Sequence, residues 1–339
     1  MKSLNMYMPV ILLLNLLCMM PGYTDELTST DAVGNCSSIL SASLSRARMF
    51  SPAGNAKLSG IQDRLTGPPF VQCYKFTVPL STIPLSSEQA ESPAGIMESS
   101  ANATQSFEAT ILAEKDTGRI VEYRPDMKYI LLKRRGSPNV VAINNISRIQ
   151  AESLAQTVLK SAGVFDSSIR LGSLNLSKQP AYAVYDISFE KYAVYSGIGD
   201  VQLPFSALFV IDAVTGNVDY YGLKEYPVTI KLIKPSISKD HAIEALVKEL
   251  KATDIQSVSA HLAITFDYSG ISDEAAELSL SAPRDFYEQI SKNRQVLAWR
   301  IHLRGKYKTN WGKAEAVDLD TQAYVNAITG KVISAILPK

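Results

Sequence analysis

Apolar residues recur at helical spacing in two stretches of the chain. Leu154, Ala155, Val158, Leu159 and Ala162 form one stripe, and Ile243, Leu246, Val247 and Leu250 form another. The first opens on Ser147-Arg-Ile-Gln150, a capping-box pattern, and Gly163 ends it. The second helix is expected to start near Ser238. Candidate strands follow at 169–176 and 258–266. Ile39, Leu40 and Leu44 are read as part of a weaker helix, and Gln89 to Gln105 as a polar loop. Lys128–Lys133 and Val140–Ile143 are read as a hairpin across Gly136-Ser-Pro138.

A second pattern is repeated. Three apolar strand segments each end on the same corner: Ala109–Ile120 with Thr117-Gly118, Ala207–Val218 with Thr215-Gly216, and Thr321–Val332 with Thr329-Gly330. Glu114, Asp212 or Asn326 stands three residues before each threonine, and Ile120, Val218 or Val332 restarts the strand. A β-hairpin explains this order. The Asp or Asn side chain caps turn amides, and glycine takes the positive φ that closes the loop. Glu114 caps less well, so the first copy is the most divergent.

Upstream of each corner lies a small-aromatic-x-apolar pattern. It reads Cys73-Tyr74-Lys75-Phe76, Ala181-Tyr182-Ala183-Val184 and Ala298-Trp299-Arg300-Ile301. The expected fold class is α+β, in tandem modules that each pack a helix on a small antiparallel meander. This order of helix, strands and Asp-Ala-x-Thr-Gly-x-Val hairpin resembles the PepSY domain. Asp212-Ala213-Val214-Thr215-Gly216-Asn217-Val218 carries the resemblance best, and Asn326-Ala327-Ile328-Thr329-Gly330-Lys331-Val332 carries it with Asn replacing Asp. It covers about 145–222 and 236–337, while the 106–124 hairpin is only suggestive. The organisation expected is a signal peptide at 1–24 and a divergent N-terminal module at 25–144 with a polar loop near 86–105. PepSY-like modules follow at 145–230 and 231–339, the last with an insertion at 268–293. The resemblance implies peptidase inhibition or regulation, or another non-catalytic role in the cell envelope. It supplies no catalytic residue.

Charge and targeting refine the class. The formal net charge is +1, from 34 basic and 33 acidic residues. Lys2 is the only charge in residues 1–24, so their removal leaves 33 of each sign. A neutral chain gives no electrostatic reason to bind nucleic acid or an anionic membrane. Lys2, the 11-residue apolar run Val10–Met20 broken by Asn15, and the small residues Gly22 and Thr24 read as a signal peptide. The run is shorter than the roughly 20 residues of a bilayer span, and no transmembrane segment is expected in the mature chain. The expected location is therefore secreted or extracytoplasmic, in the cell envelope. A lipid anchor on Cys18 is the alternative to loss of that cysteine with the signal peptide.

Cys36 and Cys73 then remain. In an oxidising compartment they are expected to pair, closing a loop worth ~3–4 kcal/mol in the chain-entropy model; two buried thiols are the alternative. Asn35, Asn102, Asn145 and Asn175 head Asn-x-Ser/Thr triplets, which matter only in a eukaryotic secretory pathway.

The search for chemistry yields little. His241, His261 and His302 have no metal-ligand spacing, and there is no His-Glu-x-x-His, Cys-x-x-Cys, nucleophile elbow or phosphate loop. Asp318 and Asp320 pair near a strand start, where acids are ordinarily solvated. Trp299, Ile301 and Leu303 alternate with Arg300, His302 and Arg304. Period two puts the first set inward and the second outward, as a solvated face or as a basic stripe for an acidic partner. The loop from Lys306 to Lys313 adds Tyr307 and Trp311 between three lysines. It is either a binding loop or a loop whose Trp folds onto the core.

These observations lead to a secreted, cofactor-free, non-catalytic binding protein. Its expected partner is a protein, a peptidase among the options, or an envelope polymer, with Arg300, His302, Arg304, Tyr307 and Trp311 as contact residues. An envelope scaffold anchored through Cys18 and a hydrolase with an unrecognised site are the alternatives.

Overall fold

The computed structural model describes residues 37–50, 55–64, 70–80, 83–84, 104–135, 146–179, 182–267, 285–286, 294–308 and 316–335. The elements in chain order are α1 (Ser37–Arg48), β1 (Lys57–Asp63), β2 (Gln72–Pro79), β3 (Ile83–Pro84), β4 (Thr104–Gln105), β5 (Glu108–Glu114), β6 (Ile120–Pro125) and α2 (Met127–Arg135). After them come α3 (Arg148–Ser161), β7 (Ile169–Gln179), β8 (Tyr182–Tyr195), β9 (Gly199–Asp212) and β10 (Val218–Glu225). The last are α4 (Lys239–Leu250), β11 (Ala252–Phe266), β12 (Gln295–Lys308), β13 (Ala316–Asn326) and β14 (Val332–Ala335). The described residues are thus mostly strand with few helices, in a mixed α/β fold.

The chain divides into two compact units. One holds Met1–Ser167, Leu171–Phe189 and Ala207–Lys224; the other holds Ser168–Arg170, Glu190–Ser206 and Glu225–Lys339. Long strands β8 and β9 give residues to both.

In the first unit the strands run β1-β2-β5-β6-β10-β9, with β8 beside β9 and β7 beside β8. β10 pairs antiparallel with β6 through Tyr221↔Tyr123. Strands of successive stretches therefore join, where separate small sheets were expected. Tyr221 is fully buried, donates to the Ile120 carbonyl at 3.0 Å and packs on Phe209 and Phe50. α1 lies on β2, β5 and β6, turning Ser43 and Ala47 inward. The capping box of α3 forms as expected: Ser147 Oγ accepts from Gln150 N, and Gln150 Oε1 accepts from Ser147 N. Residues 128–133 do not form a hairpin strand but part of α2. Asp126 starts that helix, its carboxylate accepting from Lys128 N at 2.8 Å. Val140–Ile143 lie outside the described residues. Most of the expected polar loop does too, although Thr104–Gln105 pair with Ile83–Pro84.

In the second unit the order is β9-β11-β12-β13-β14. All pairs are antiparallel except β9–β11, whose register is Leu262↔Val201 and Ala263↔Gln202. That parallel pair departs from the simple meander expected. α4, capped by Ser238, buries Ala242 and Leu246 against Ile301, Leu303, Leu319, Ala323 and Val325. Leu246 and Ile301 are fully buried, so fixing that helix carries roughly 2 kcal/mol for each such side chain.

The three Thr-Gly corners have one geometry. Gly118, Gly216 and Gly330 sit at φ of 67°, 74° and 75°. Their amides donate to the carbonyls of Glu114, Asp212 and Asn326 at 2.8, 2.8 and 2.9 Å. The amides of those residues donate in turn to Arg119, Asn217 and Lys331 at 2.9, 2.9 and 2.8 Å. Asp212 Oδ1 also accepts from Val214 N, and Asn326 Oδ1 from Ile328 N.

The aromatic of the middle stretch is Tyr185, not Tyr182. Its hydroxyl donates to the carbonyl of Ile146 at 3.1 Å, just before the cap of α3. Trp299 Nε1 donates to the carbonyl of Ile237 at 2.9 Å, just before the cap of α4. Ala213 N bonds the carbonyl two residues before Tyr185, and Ala327 N the carbonyl two residues before Trp299. Hydrogen-bond register thus overrides the nearest match in sequence.

Candidate functional site

Period-two geometry sets up a polar face on the second unit. On β12, Ile301 and Leu303 point into the core beneath α4, so Arg300, His302 and Arg304 must point to the opposite face. The register sets His261 of β11 opposite Arg300, and Ser259 opposite His302. On the other side of β12 it sets Tyr324 and Gln322 of β13 opposite Arg300 and His302.

Arg300 is the centre of this face. Its Nη1 donates to Glu190 Oε1 of β8 at 2.5 Å and to Gln202 Oε1 of β9 at 2.8 Å. Its Nη2 donates to Gln322 Oε1 at 3.1 Å. The two charged side chains keep only 15% and 11% of their exposure, so water screens the pair weakly. Glu190 also accepts from the Tyr192 hydroxyl at 2.9 Å. Burial, with Glu190 beside it, pushes the Tyr192 phenol up to about 12. The guanidinium of Arg170 lies 4.7 Å from the centre of the Tyr192 ring and bonds Asp200 at 2.9 Å. His261 Nε2 meets Gln202 Oε1 at 2.9 Å. Burial and the positive charge of Arg300 lower its pKa from the ordinary histidine value.

At the outer end, His302 Nε2 and Arg304 Nε bond the two oxygens of Asp320 at 2.5 and 2.9 Å. The bond from His302 is the main cause that holds the Asp320 carboxyl below its usual value. These three side chains are well exposed. Arg304 is a cation of this face open to a partner, with the half-exposed His302 beside it, and Arg300 is already engaged. Tyr307 continues β12, its backbone paired with Val317 and Ala252. Trp311 lies outside the described residues.

Cys73 is buried in β2 as a free thiol, and Cys36 and Cys18 lie outside the described residues. Burial pushes the Cys73 thiol up to about 12, so it is protonated and a poor nucleophile. Among the described residues no group of three or more His, Cys, Asp or Glu side chains is placed to hold a metal ion. No helix among them is long and apolar enough to cross a membrane.

Sequence reasoning missed Glu190, Tyr192, Gln202, Gln322 and Tyr324, and weighed His261 only as a metal ligand. Their local signal is strand alternation alone, and only the pairing of β11, β12 and β13 and the parallel β9–β11 register bring them to Arg300.

No family model matches the chain, and no curated protein matches it. Among solved structures it is similar to the Bacillus megaterium YpeB C-terminal domain, at 17% identity and a TM-score of 0.48, over 88% of this chain and 97% of that one. It is also similar to an uncharacterized protein from Eubacterium rectale ATCC 33656, at 10% identity and a TM-score of 0.36, over 91% and 82%. Both likenesses are distant, and no function is carried over from either.

Proposed function

We propose that this chain is a non-catalytic binding protein of PepSY-like modules, at 145–230 and 231–339 after a divergent module at 25–144, and that it acts outside the cytoplasm on a protein partner. The partner class favoured is a secreted peptidase, which the chain inhibits or regulates. The observation that carries the reading is the outer end of the β12 face. Arg304 and His302 stand there on a rigid strand, held by Asp320 and backed by a packed core. Charged groups fixed on a sheet face give on-rate and specificity to association without reacting.

The test titrates the purified chain into secreted peptidases of its source, with a fluorogenic peptide as readout. Dose-dependent change in cleavage is expected, weakened at least tenfold by Arg304→Glu. If no peptidase in the secreted set is bound or altered by the chain, the reading fails.

A further inference from the structure

The inner end of the same face does not reach for a partner, and its geometry fixes where one proton sits. Arg300 carries hydrogens on every guanidinium nitrogen and can only donate. Gln202 must therefore turn its oxygen, not its nitrogen, toward Arg300 Nη1 at 2.8 Å. The same oxygen lies 2.9 Å from His261 Nε2. An oxygen between two ring or guanidinium nitrogens accepts from both, so the neutral His261 holds its proton on Nε2. The remaining nitrogen, Nδ1, is the one that takes a second proton.

We infer that the His261–Gln202 contact of β11 on β9 is an acid-sensitive latch: the Nε2–H bond to Gln202 persists in both forms, but the charged imidazole is half-buried opposite the Arg300 guanidinium, so the closed pairing holds when the imidazole is neutral and weakens when it is charged. The charge inventory of the face decides the sign. Glu190 on β8 is matched by Arg300 on β12, with the Tyr192 hydroxyl as its second donor. Asp200 on β9 is matched by Arg170. Asp320 on β13 is engaged by His302 and Arg304 of β12. Tyr324 on β13 has its phenol pKa raised by burial and stays neutral. α4 lies on the opposite face, over the core of Ile301 and Leu303. Each of these acids thus already has a cation, and among the described residues a charged imidazole stands opposite Arg300 with only Glu190, itself paired to Arg300, to oppose the repulsion. β9–β11 is also the parallel pairing of this unit, with the register Leu262↔Val201 and Ala263↔Gln202. The latch sits beside the second of them.

A histidine whose pKa is depressed when closed stabilises the closed state above the free-imidazole value of about 6.5 and loses that contribution as pH falls below it. The open state then binds a proton that the closed state resists. Native-state hydrogen exchange of the full chain, corrected for intrinsic rates, reads this directly. Between pH 7.5 and 5.5 the opening equilibrium at amides 201–203 and 260–264 should rise several-fold, approaching about tenfold if His261 stays neutral when closed. His261→Gln should abolish the pH dependence, and His302→Ala should preserve it. Nitrogen chemical shifts of the His261 ring in the unaltered chain should show the Nε2–H tautomer and a pKa below the free value. An Nδ1–H tautomer, a pKa at or above the free value, or the same pH dependence in His261→Gln would each overturn the latch. Should His261→Gln fail to fold, the ring shifts of the unaltered chain decide alone.

Discussion

Replacing Arg300 separates a constructed charge pair from an ordinary surface one. The Glu190–Arg300 contact is 2.5 Å long, between side chains 11% and 15% exposed. Exposed pairs contribute about 0–1 kcal/mol, whereas removing one partner of a fully buried pair costs about 3–5 kcal/mol. Arg300→Met keeps most of the stem but strips Glu190, Gln202 and Gln322 of their common donor. Glu190 keeps the Tyr192 hydroxyl, which offsets part of the loss. The expected cost is about 3 kcal/mol, between the two limits. Glu190→Gln should cost about 2 kcal/mol, because Arg300 keeps two amide acceptors. The double variant should cost about 2 kcal/mol less than the sum, the coupling of a contact that one substitution already breaks. Urea unfolding followed by tryptophan emission is a suitable assay, since Trp299 neighbours Arg300 on β12 of the second unit. Raising the salt to half molar should leave the coupling largely intact. A coupling below about 0.5 kcal/mol, or one that salt removes, would show the pair to be solvated and refute the argument that this face is prearranged.

Two further outcomes follow from the corners and the thiol. Gly330→Ala forces a Cβ into the left-handed region, where its nearest neighbour is Ile237 at 3.5 Å, and should cost about 1–2 kcal/mol in strain alone. Gly118→Ala adds contacts of 3.0 Å to Ser43 Oγ and 3.1 Å to Arg46 Nη1, whose bond to the Gly118 carbonyl holds α1 on the corner. It should cost at least about 1 kcal/mol more in urea unfolding followed by circular dichroism, and equal costs would refute the packing argument. Cys73 should resist a thiol reagent at pH 8 in the folded chain, because burial keeps the thiolate scarce. Denatured without reductant, the chain should release it to the reagent, whereas a Cys36–Cys73 bridge would leave it silent; fast reaction in the folded state would contradict the burial.

What the sequence discloses about this fold is what local bonds decide. Ser147-x-x-Gln150 caps α3 within four residues, and the Thr-Gly corners close within six. The same locality explains an error. Tyr182 and Tyr185 stand three apart in one strand, and no local rule chooses between them. The choice is made by Ile146, 39 residues before Tyr185, whose carbonyl accepts the Tyr185 hydroxyl. With Tyr185 in place the aromatic stands 30 residues before Thr215, as Trp299 stands before Thr329. α2 was missed for a related reason. Ile130-Leu-Leu flanked by lysines fits a strand as well as a helix, and the Asp126 side chain settles it. The polar face was least legible, since Glu190 reaches Arg300 across 110 residues of sequence.

The first corner shows why the corners are an unpromising place to look for activity. Asp212 and Asn326 have short side chains that bond the amides two residues on. Glu114, one methylene longer, instead accepts from the Thr117 hydroxyl and from Arg119, and those donors hold its carboxyl below the usual value against the effect of burial. Yet the glycine φ and both backbone bonds are the same at all three corners. The turn therefore depends on the glycine and on the backbone, and the capping residue is free to differ. A residue set that tolerates such exchange, and whose side-chain oxygens bond within the turn, serves the shape of the hairpin. Groups that distant segments bring together are the better place to look, and Arg300 with its neighbours on four adjoining strands is one such assembly among the described residues.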